Sequence, residues 1–171
     1  MKVTTPTIFI LAASFLLVSC GSFEPLVIET RKSTEDKDAS STRHLRSDLE
    51  LTAKKLLGTP YRYGGTDRNG FDCSGFTVFT FGQNGIQIPR TASDQYRKGR
   101  VVQKISEARR GDLVFFQLNS KIDHVGMVTR ASRRELWIIH STSSKGVMHQ
   151  DVLTSTYWRP RLKGVKDILG D

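Results

Sequence analysis

Cys73 is one of two cysteines in the sequence, and its neighbours could make it a nucleophile. It lies in the segment FDCSGF, directly after Asp72, a residue type that caps helix N-termini. A cysteine in the first turn of a helix lies beside unpaired backbone N–H groups at the positive end of the helix dipole. The sequence therefore predicts a reactive thiol with a depressed pKa, beside N–H groups that could hold an oxyanion. A buried, inert cysteine is the alternative.

Four histidines are candidates for the base that such a thiol needs. His44 precedes the predicted folded region, and His149 lies in a late predicted strand where we expect a surface position. His124 opens HVGMV and His140 follows LWII, so both rings could meet one helix N-terminus as base and orienter. A zinc site made by Cys73 with these two histidines is a further alternative, although neither C-x-x-C nor H-x3-H spacing supports it.

The first twenty residues resemble an export signal. Lys2 precedes the apolar run IFILAASFLLV, whose length suits a signal peptide and is short for a membrane span. The run ends in LVSC, which resembles the bacterial lipobox and implies cleavage before Cys20 and lipidation of that cysteine. A plain secretory signal or a single-pass anchor would be the alternative. If Cys20 carries lipid, Cys73 has no disulfide partner and is a candidate reactive thiol.

The rest of the chain divides into a tether and one domain. We predict a signal peptide over 1–19, a lipidated cysteine and flexible tether over 20–46, and a catalytic domain over 47–171. The domain is expected to begin with a helix at Ser47. Further helices are predicted at 73–81 and after Thr91, and strands at 113–117, 124–129, 135–141, 146–150 and 159–165. Helices followed by a run of strands indicate an α+β fold with an antiparallel sheet.

The net charge is +9 with an isoelectric point near 9.8. Such a charge predicts attraction to polyanions, which include nucleic acid, anionic lipid and acidic wall polymers. Charge alone does not choose among these partners.

Several motifs together resemble the NlpC/p60 family of cell-wall cysteine peptidases. They are YRYGG, DCSGF, RRGDLVFF, DHVGMV and IHSTSSKGV, and the resemblance extends over residues 47–166. The likeness is to small murein endopeptidase lipoproteins of Gram-negative bacteria. It implies a papain-like α+β fold in which N-terminal helices pack on an antiparallel β-sheet.

The resemblance implies three catalytic roles. Cys73 matches the nucleophile, His124 the base and His140 the residue that orients the base. Neither a metal nor a cofactor is expected.

The resemblance also implies supporting residues around the thiol. Tyr61 matches a tyrosine whose hydroxyl lies beside the cysteine, and Asp72 and Ser74 match residues that line the substrate groove. Tyr61 could instead be a half-buried loop aromatic, and Asp72 a helix cap alone. We also expect Ser74 and Gly75 to keep the surroundings of the thiol small enough for a substrate.

The function implied is that of a lipid-anchored cysteine endopeptidase acting on peptide bonds in peptidoglycan stem peptides or crosslinks. Both D-Glu–diaminopimelate and D-Ala–diaminopimelate bonds stay open as targets. A non-hydrolytic module that binds peptidoglycan or regulates another hydrolase is one alternative, and acyl transfer is another. The expected partners are peptidoglycan and a membrane, without nucleic acid, and the chain is expected to be a monomer. Gly21 after the lipobox favours the periplasmic face of the outer membrane over the inner membrane.

Overall fold

A computed structural model of the chain describes the backbone of residues 25–170 and side chains from residue 37 onward. The predicted signal peptide over 1–19 and the predicted lipidation site Cys20 lie outside the described residues. Residues 37–170 belong to one compact unit. No helix in the described part of the chain combines the length and the apolar character that crossing a membrane requires.

The first helix begins earlier than the sequence analysis predicts. Helix α1 covers Pro25–Lys54, whereas the predicted start was Ser47 and the preceding residues were assigned to a flexible tether. After Pro25 this segment contains neither glycine nor a second proline, so nothing in it breaks a helix, and proline itself is favoured in a first turn. The prediction of a coil rested on the mixed charge, the serines and threonines and the few apolar residues of this segment, and such a composition does not exclude a helix.

Arg46, which the prediction placed in the tether, is a buried part of the domain. Its guanidinium donates to Asp112 and to Asp167, each at 2.6 Å, and to the carbonyl of Arg110 at 2.9 Å. The Arg46 side chain is only 5% exposed, and the two carboxylates are 1% and 3% exposed. This ion cluster joins α1 to the sheet.

Two short helices follow as predicted. Helix α2 covers Cys73–Gly82 and helix α3 covers Ala92–Tyr96, with Thr91 accepting a bond from Asp94 N–H as its cap. Two small strands that the sequence analysis missed, β1 (Thr66–Asp67) and β2 (Gly70–Phe71), form an antiparallel pair before α2.

The main sheet has six strands, with the spatial order β3-β8-β4-β5-β6-β7 and antiparallel pairing throughout. Its strands are β3 (Arg100–Val102), β4 (Leu113–Leu118), β5 (Lys121–Ala131), β6 (Leu136–Thr142), β7 (Gly146–Asp151) and β8 (Leu162–Asp167). The predicted α+β class and the four strands β4 to β7 are confirmed. β3 was not predicted.

The last predicted strand starts too early. Residues Arg159–Arg161 form a 3-10 helix, and β8 begins only at Leu162. Pro160 lies within this 3-10 turn, and because proline has no N–H to donate to a ladder, it delays the strand.

Both faces of the central strands are buried. In β4, Leu113 and Phe115 pack on the core shared with the helices, while Val114 and Phe116 pack on the opposite face. Successive side chains of a strand point to opposite faces, so this unbroken apolar run serves two cores.

Candidate active site

The N-terminus of α2 is built around the Asp72 side chain. Asp72 has extended backbone angles, and its Oδ1 accepts from the N–H of Gly75 at 2.6 Å, which confirms the predicted cap. Its Oδ2 accepts from the N–H of Gly64 at 3.0 Å, which draws the preceding loop onto the helix. The cap therefore holds both the helix start and the loop before it.

Gly75 allows the loop before the helix to approach it closely. A Cβ atom at this position would lie 2.0 Å from the carbonyl oxygen of Gly65. The same carbonyl accepts from the N–H of Asp72 at 3.2 Å. Gly75 thus admits the backbone of the loop against the helix.

Cys73 lies at a gap between two strands. The pairing of β5 with β6 runs from Met127 opposite Ile139 onward, so the beginning of β5 is not paired with β6. The register of β4 with β5 also shifts beside Phe116, at a bulge that includes Asp123. The Cys73 Sγ lies 3.7 Å from the Asp123 carbonyl, to which the thiol donates a weak hydrogen bond.

The resting thiol is protonated at neutral pH, which contradicts the predicted depressed pKa. Burial raises the pKa of Cys73 from 9.0 to about 11, and the carboxylates of Asp72 and Asp123 add to this effect. The backbone N–H groups of Val125 and Ser74 lower the pKa but do not outweigh burial. The N–H groups at the helix start are therefore insufficient to keep the thiolate in the free protein.

The two predicted histidines form a pair. The Nε2 of His124 lies 2.9 Å from the Nδ1 of His140, with the rings edge-on at a 76° angle. His124 is 8% exposed and His140 is fully buried. Because Nε2 of His124 is engaged, Nδ1 is the ring nitrogen left to accept a proton from another group. For Nδ1 to be free, the Nε2–H of His124 must donate to His140.

Both rings are neutral at pH 7. Burial holds the pKa of His124 well below 6.5, and the neighbouring His140 lowers it further. Burial also lowers the pKa of His140 to about 4. The Gln150 side chain partly opposes that shift, although it makes no hydrogen bond of ordinary geometry with the ring, and the buried Nε2 of His140 has no partner among the described residues.

A single cleft of about 990 Å³ unites most of the predicted site residues. It is lined by Tyr61, Asp72, Cys73, Ser74 and His124, whereas His140 lies behind His124 and does not line it. The pKa of Tyr61 is raised by burial first and then by the nearby Cys73, which is consistent with a hydroxyl close to the thiol.

Arg90 completes a polar cluster beside the thiol. Its guanidinium donates to both carboxylate oxygens of Asp72, at 3.0 and 2.5 Å, and to the Ser74 hydroxyl at 2.8 Å. Burial raises the pKa of Asp72, but the bonds from Arg90 and from the N–H groups of Gly75 and Gly64 bring it below its usual value. The cluster therefore places a fixed carboxylate and guanidinium on one wall of the cleft.

The sequence analysis missed two residues of this site, Arg90 and Trp158. Arg90 is one of 26 basic residues and precedes the Thr91 cap without any distinguishing spacing. Trp158 is one of two tryptophans and stacks on His124 with ring centroids 4.3 Å apart. The only sequence signal for Trp158 was its rarity, since an aromatic pair before a basic turn predicts no contact.

Two further observations concern metal ligation and His149. No group of three or more His, Cys, Asp or Glu side chains in the described part of the chain is arranged to hold a metal ion. His149 is exposed, as predicted, and its Nε2 lies 2.9 Å from the Thr129 hydroxyl.

Comparison with known proteins identifies relatives of this chain. A sequence model of the NlpC/P60 family matches residues 58–167. The γ-DL-glutamyl hydrolase of Bacillus subtilis is 33% identical over 158 residues, which are 92% of this chain and 37% of that protein. The probable endopeptidase NlpC of Escherichia coli is 42% identical over 105 residues, which are 60% of this chain and 64% of that protein.

A solved structure, that of the peptidoglycan hydrolase RipB from Mycobacterium tuberculosis, shares 26% identity with a TM-score of 0.63. The match covers 77% of this chain and 68% of that one. The predicted papain-like α+β fold, with helices packed on an antiparallel sheet, is thereby confirmed. The chain spans little more than a third of the B. subtilis relative.

Proposed function

Because this chain belongs to the NlpC/P60 family, we propose that it is a lipid-anchored cysteine endopeptidase that hydrolyses peptide bonds in peptidoglycan stem peptides or crosslinks. The observation that carries the proposal is the arrangement of the cleft, which is lined by both Cys73 and His124, with the Nε2 of His124 held by His140. The names of the E. coli and M. tuberculosis relatives, an endopeptidase and a peptidoglycan hydrolase, support the reaction class and the substrate.

The acylation step begins from a neutral pair. His124 Nδ1 takes the proton of the Cys73 thiol as sulfur bonds to the scissile carbonyl carbon, and the carbonyl oxygen becomes an oxyanion. When the intermediate collapses, the C–N bond breaks and His124 returns that proton to the leaving amine. The products of this half-reaction are a free amine and a thioester on Cys73.

Deacylation uses the same two residues. His124 takes a proton from water as the hydroxyl bonds to the thioester carbon, the C–S bond breaks, and the proton returns to sulfur. His140 accepts the Nε2–H of His124 throughout, which fixes the ring orientation and the tautomer with Nδ1 unprotonated. His140 therefore acts through His124 and exchanges no proton with substrate.

The start of α2 is suited to stabilising the oxyanion. The N–H of Gly75 is already bound by Asp72, and that of Phe76 by the Asp72 carbonyl. Within residues 25–170, the N–H of Cys73 has no protein acceptor, so it is free to donate to the oxyanion. The Tyr61 hydroxyl, whose raised pKa keeps it protonated, is a second candidate donor.

The walls of the cleft suit a charged peptide. Asp72 and Ser74, held by Arg90, present fixed polar groups on one side, and these are the residues we assign to substrate binding. Lys145, an exposed residue at the tip of the β6–β7 turn, lines the same cleft. Stem peptides carry carboxylates, and the net charge of +9 favours approach to such a polymer.

Digestion of purified sacculi tests the proposed reaction. The chain should release muropeptides whose masses identify the cut bond, and Cys73→Ala should release none while keeping its fold by circular dichroism. An exposed change such as Arg43→Ala is the matched control and should digest normally. Normal digestion by Cys73→Ala would refute the cysteine mechanism. Sacculus binding without digestion by the wild-type chain would favour the non-hydrolytic module.

The proposed anchor has its own test. Cells producing the wild-type chain and fed labelled palmitate should yield a labelled protein in the outer-membrane fraction, whereas Cys20→Ala should stay unlabelled and uncleaved before residue 20. Equal labelling of the two proteins would refute Cys20 as the lipidation site without affecting the proposed peptidase activity.

A further inference from the structure

Trp158 occupies a position over the catalytic histidines that no motif predicts. It lies in the turn before β8. Its backbone N–H donates to the Ser155 hydroxyl at 3.1 Å, and its backbone carbonyl accepts from the N–H of Arg161 at 3.0 Å. These bonds fix the backbone of the turn. The indole lines the cleft on one side and packs on the buried cluster of the sheet on the other.

The indole contacts both rings of the histidine pair. It stacks on His124 with centroids 4.3 Å apart and planes 24° from parallel, and it meets His140 edge-on at 5.2 Å and 67°. Phe116 packs against the indole at 4.9 Å and against the His124 ring at 5.7 Å. The rings of His124, Trp158 and Phe116 thus pack against one another, and His124 is nearly closed to solvent.

A charged His124 ring requires stabilisation in this buried environment, and the indole can provide it. During acylation His124 becomes an imidazolium, yet burial disfavours that charge, and no carboxylate in the described part of the chain raises the pKa of His124. His140 Nδ1 accepts one hydrogen bond from the cation. The face of an indole is the strongest aromatic partner for a cation, and a stacked ring at 4.3 Å lies within the range of that interaction.

We propose that Trp158 is a positioning residue whose indole keeps water from the His124–His140 hydrogen bond and stabilises the imidazolium that His124 becomes when it takes the Cys73 proton. This inference rests on the proposed peptidase function. It differs from a packing role because the contribution depends on the electron density of the indole face and is largest when His124 is charged.

Fluorination of the indole separates these roles because it weakens the cation interaction while nearly preserving ring shape. The full chain carrying Trp137→Phe leaves Trp158 as the only tryptophan, and 5,6,7-trifluorotryptophan is then incorporated. Trp137 lies outside the cleft, so this background should keep wild-type activity. The matched control is the chain carrying Trp158→Phe, in which Trp137 is the only tryptophan and takes up the fluorinated residue. Fluorination of this control should change neither its activity nor the titration of its His124.

Two readouts are measured on the fluorinated protein. The midpoint of the His124 imidazole titration, followed by NMR and assigned with His124→Gln, should fall by about 0.4 to 1.5 pH units. The kcat on a stem-peptide substrate should fall by about 2- to 30-fold with KM and melting temperature unchanged. Among ordinary variants, Trp158→Leu should lower kcat by about 10- to 100-fold, and Trp158→Phe should recover part of this loss.

Either readout can overturn the inference. An unchanged His124 midpoint after fluorination would show that the indole does not stabilise the cation. Unchanged kcat in both the fluorinated protein and Trp158→Leu would show that it does not serve the reaction. If the wild-type chain hydrolyses no peptide, the proposed function fails, and the NMR midpoint still decides whether Trp158 stabilises the imidazolium.

Discussion

Alkylation of Cys73 by iodoacetamide tests whether burial or the helix N-terminus controls the thiol. The suitable protein is the chain carrying Cys20→Ser, because Cys73 is then its only cysteine. Iodoacetamide reacts with the thiolate, so the rate at each pH reports the fraction of Cys73 that is ionised. The thiol pKa of about 11 predicts a rate that climbs tenfold per pH unit through pH 9 and levels only near pH 11.

The magnitude at pH 6 follows from the size of the shift. A pKa raised from 9.0 to about 11 leaves roughly 100-fold less thiolate than in an unstructured cysteine peptide. A thiolate of higher pKa is intrinsically more nucleophilic, by about 6- to 10-fold for two pKa units. Cys73 should therefore be alkylated about 10- to 20-fold more slowly than the peptide at pH 6, and unfolding the chain in urea should abolish the difference.

The opposite result has a clear meaning. Alkylation at pH 6 that equals or exceeds the rate of the unstructured peptide would show a thiolate–imidazolium pair in the free enzyme. The argument that burial outweighs the N–H groups of Val125 and Ser74 would then be refuted, and acylation would not begin from a neutral pair.

Three further predictions concern the histidine pair and the buried ion cluster. His140→Ala should lower kcat by about 10- to 1,000-fold with KM little changed, and His140→Gln should recover part of this, whereas His124→Ala should be nearly inactive. Wild-type kcat in His140→Ala would return His140 to a structural role. The pKa of His140 lies near 4 in the folded chain and near 6.5 when unfolded, so its contribution to stability is present above pH 6.5 and is lost as the pH falls toward 4. His140 should account for about 3 kcal/mol of the loss that urea unfolding shows in this window, so the loss should be smaller in His140→Gln; equal losses would contradict the assignment. Arg46→Ala should lower the free energy of unfolding by about 3–5 kcal/mol because it leaves buried Asp112 without a cation and Asp167 with only Arg100, while Arg43→Ala, an exposed change on the same helix, should stay within about 0.5 kcal/mol. Equal effects of the two changes would refute the buried ion cluster.

Local signals in the sequence were sufficient for the core of the fold. The Asp72 cap and the apolar residues after it predicted α2, and the runs from Leu113 to Asp151 predicted four neighbouring strands. Histidines at strand positions and a cysteine at a helix start also indicated which residues could meet. These features were predictable because capping and side-chain periodicity depend on residues a few positions apart.

The burial and protonation of several key residues were decided by contacts between residues far apart in the sequence. Arg46 is buried because Asp112 and Asp167, 66 and 121 residues away, converge on it. The Cys73 thiol stays protonated because the sheet buries it, which no helix-capping rule anticipates. Trp158 reaches His124 only because β8 returns beside β4 in the sheet. Burial and long-range pairing determine charge and proximity, and both exist only once the chain has folded.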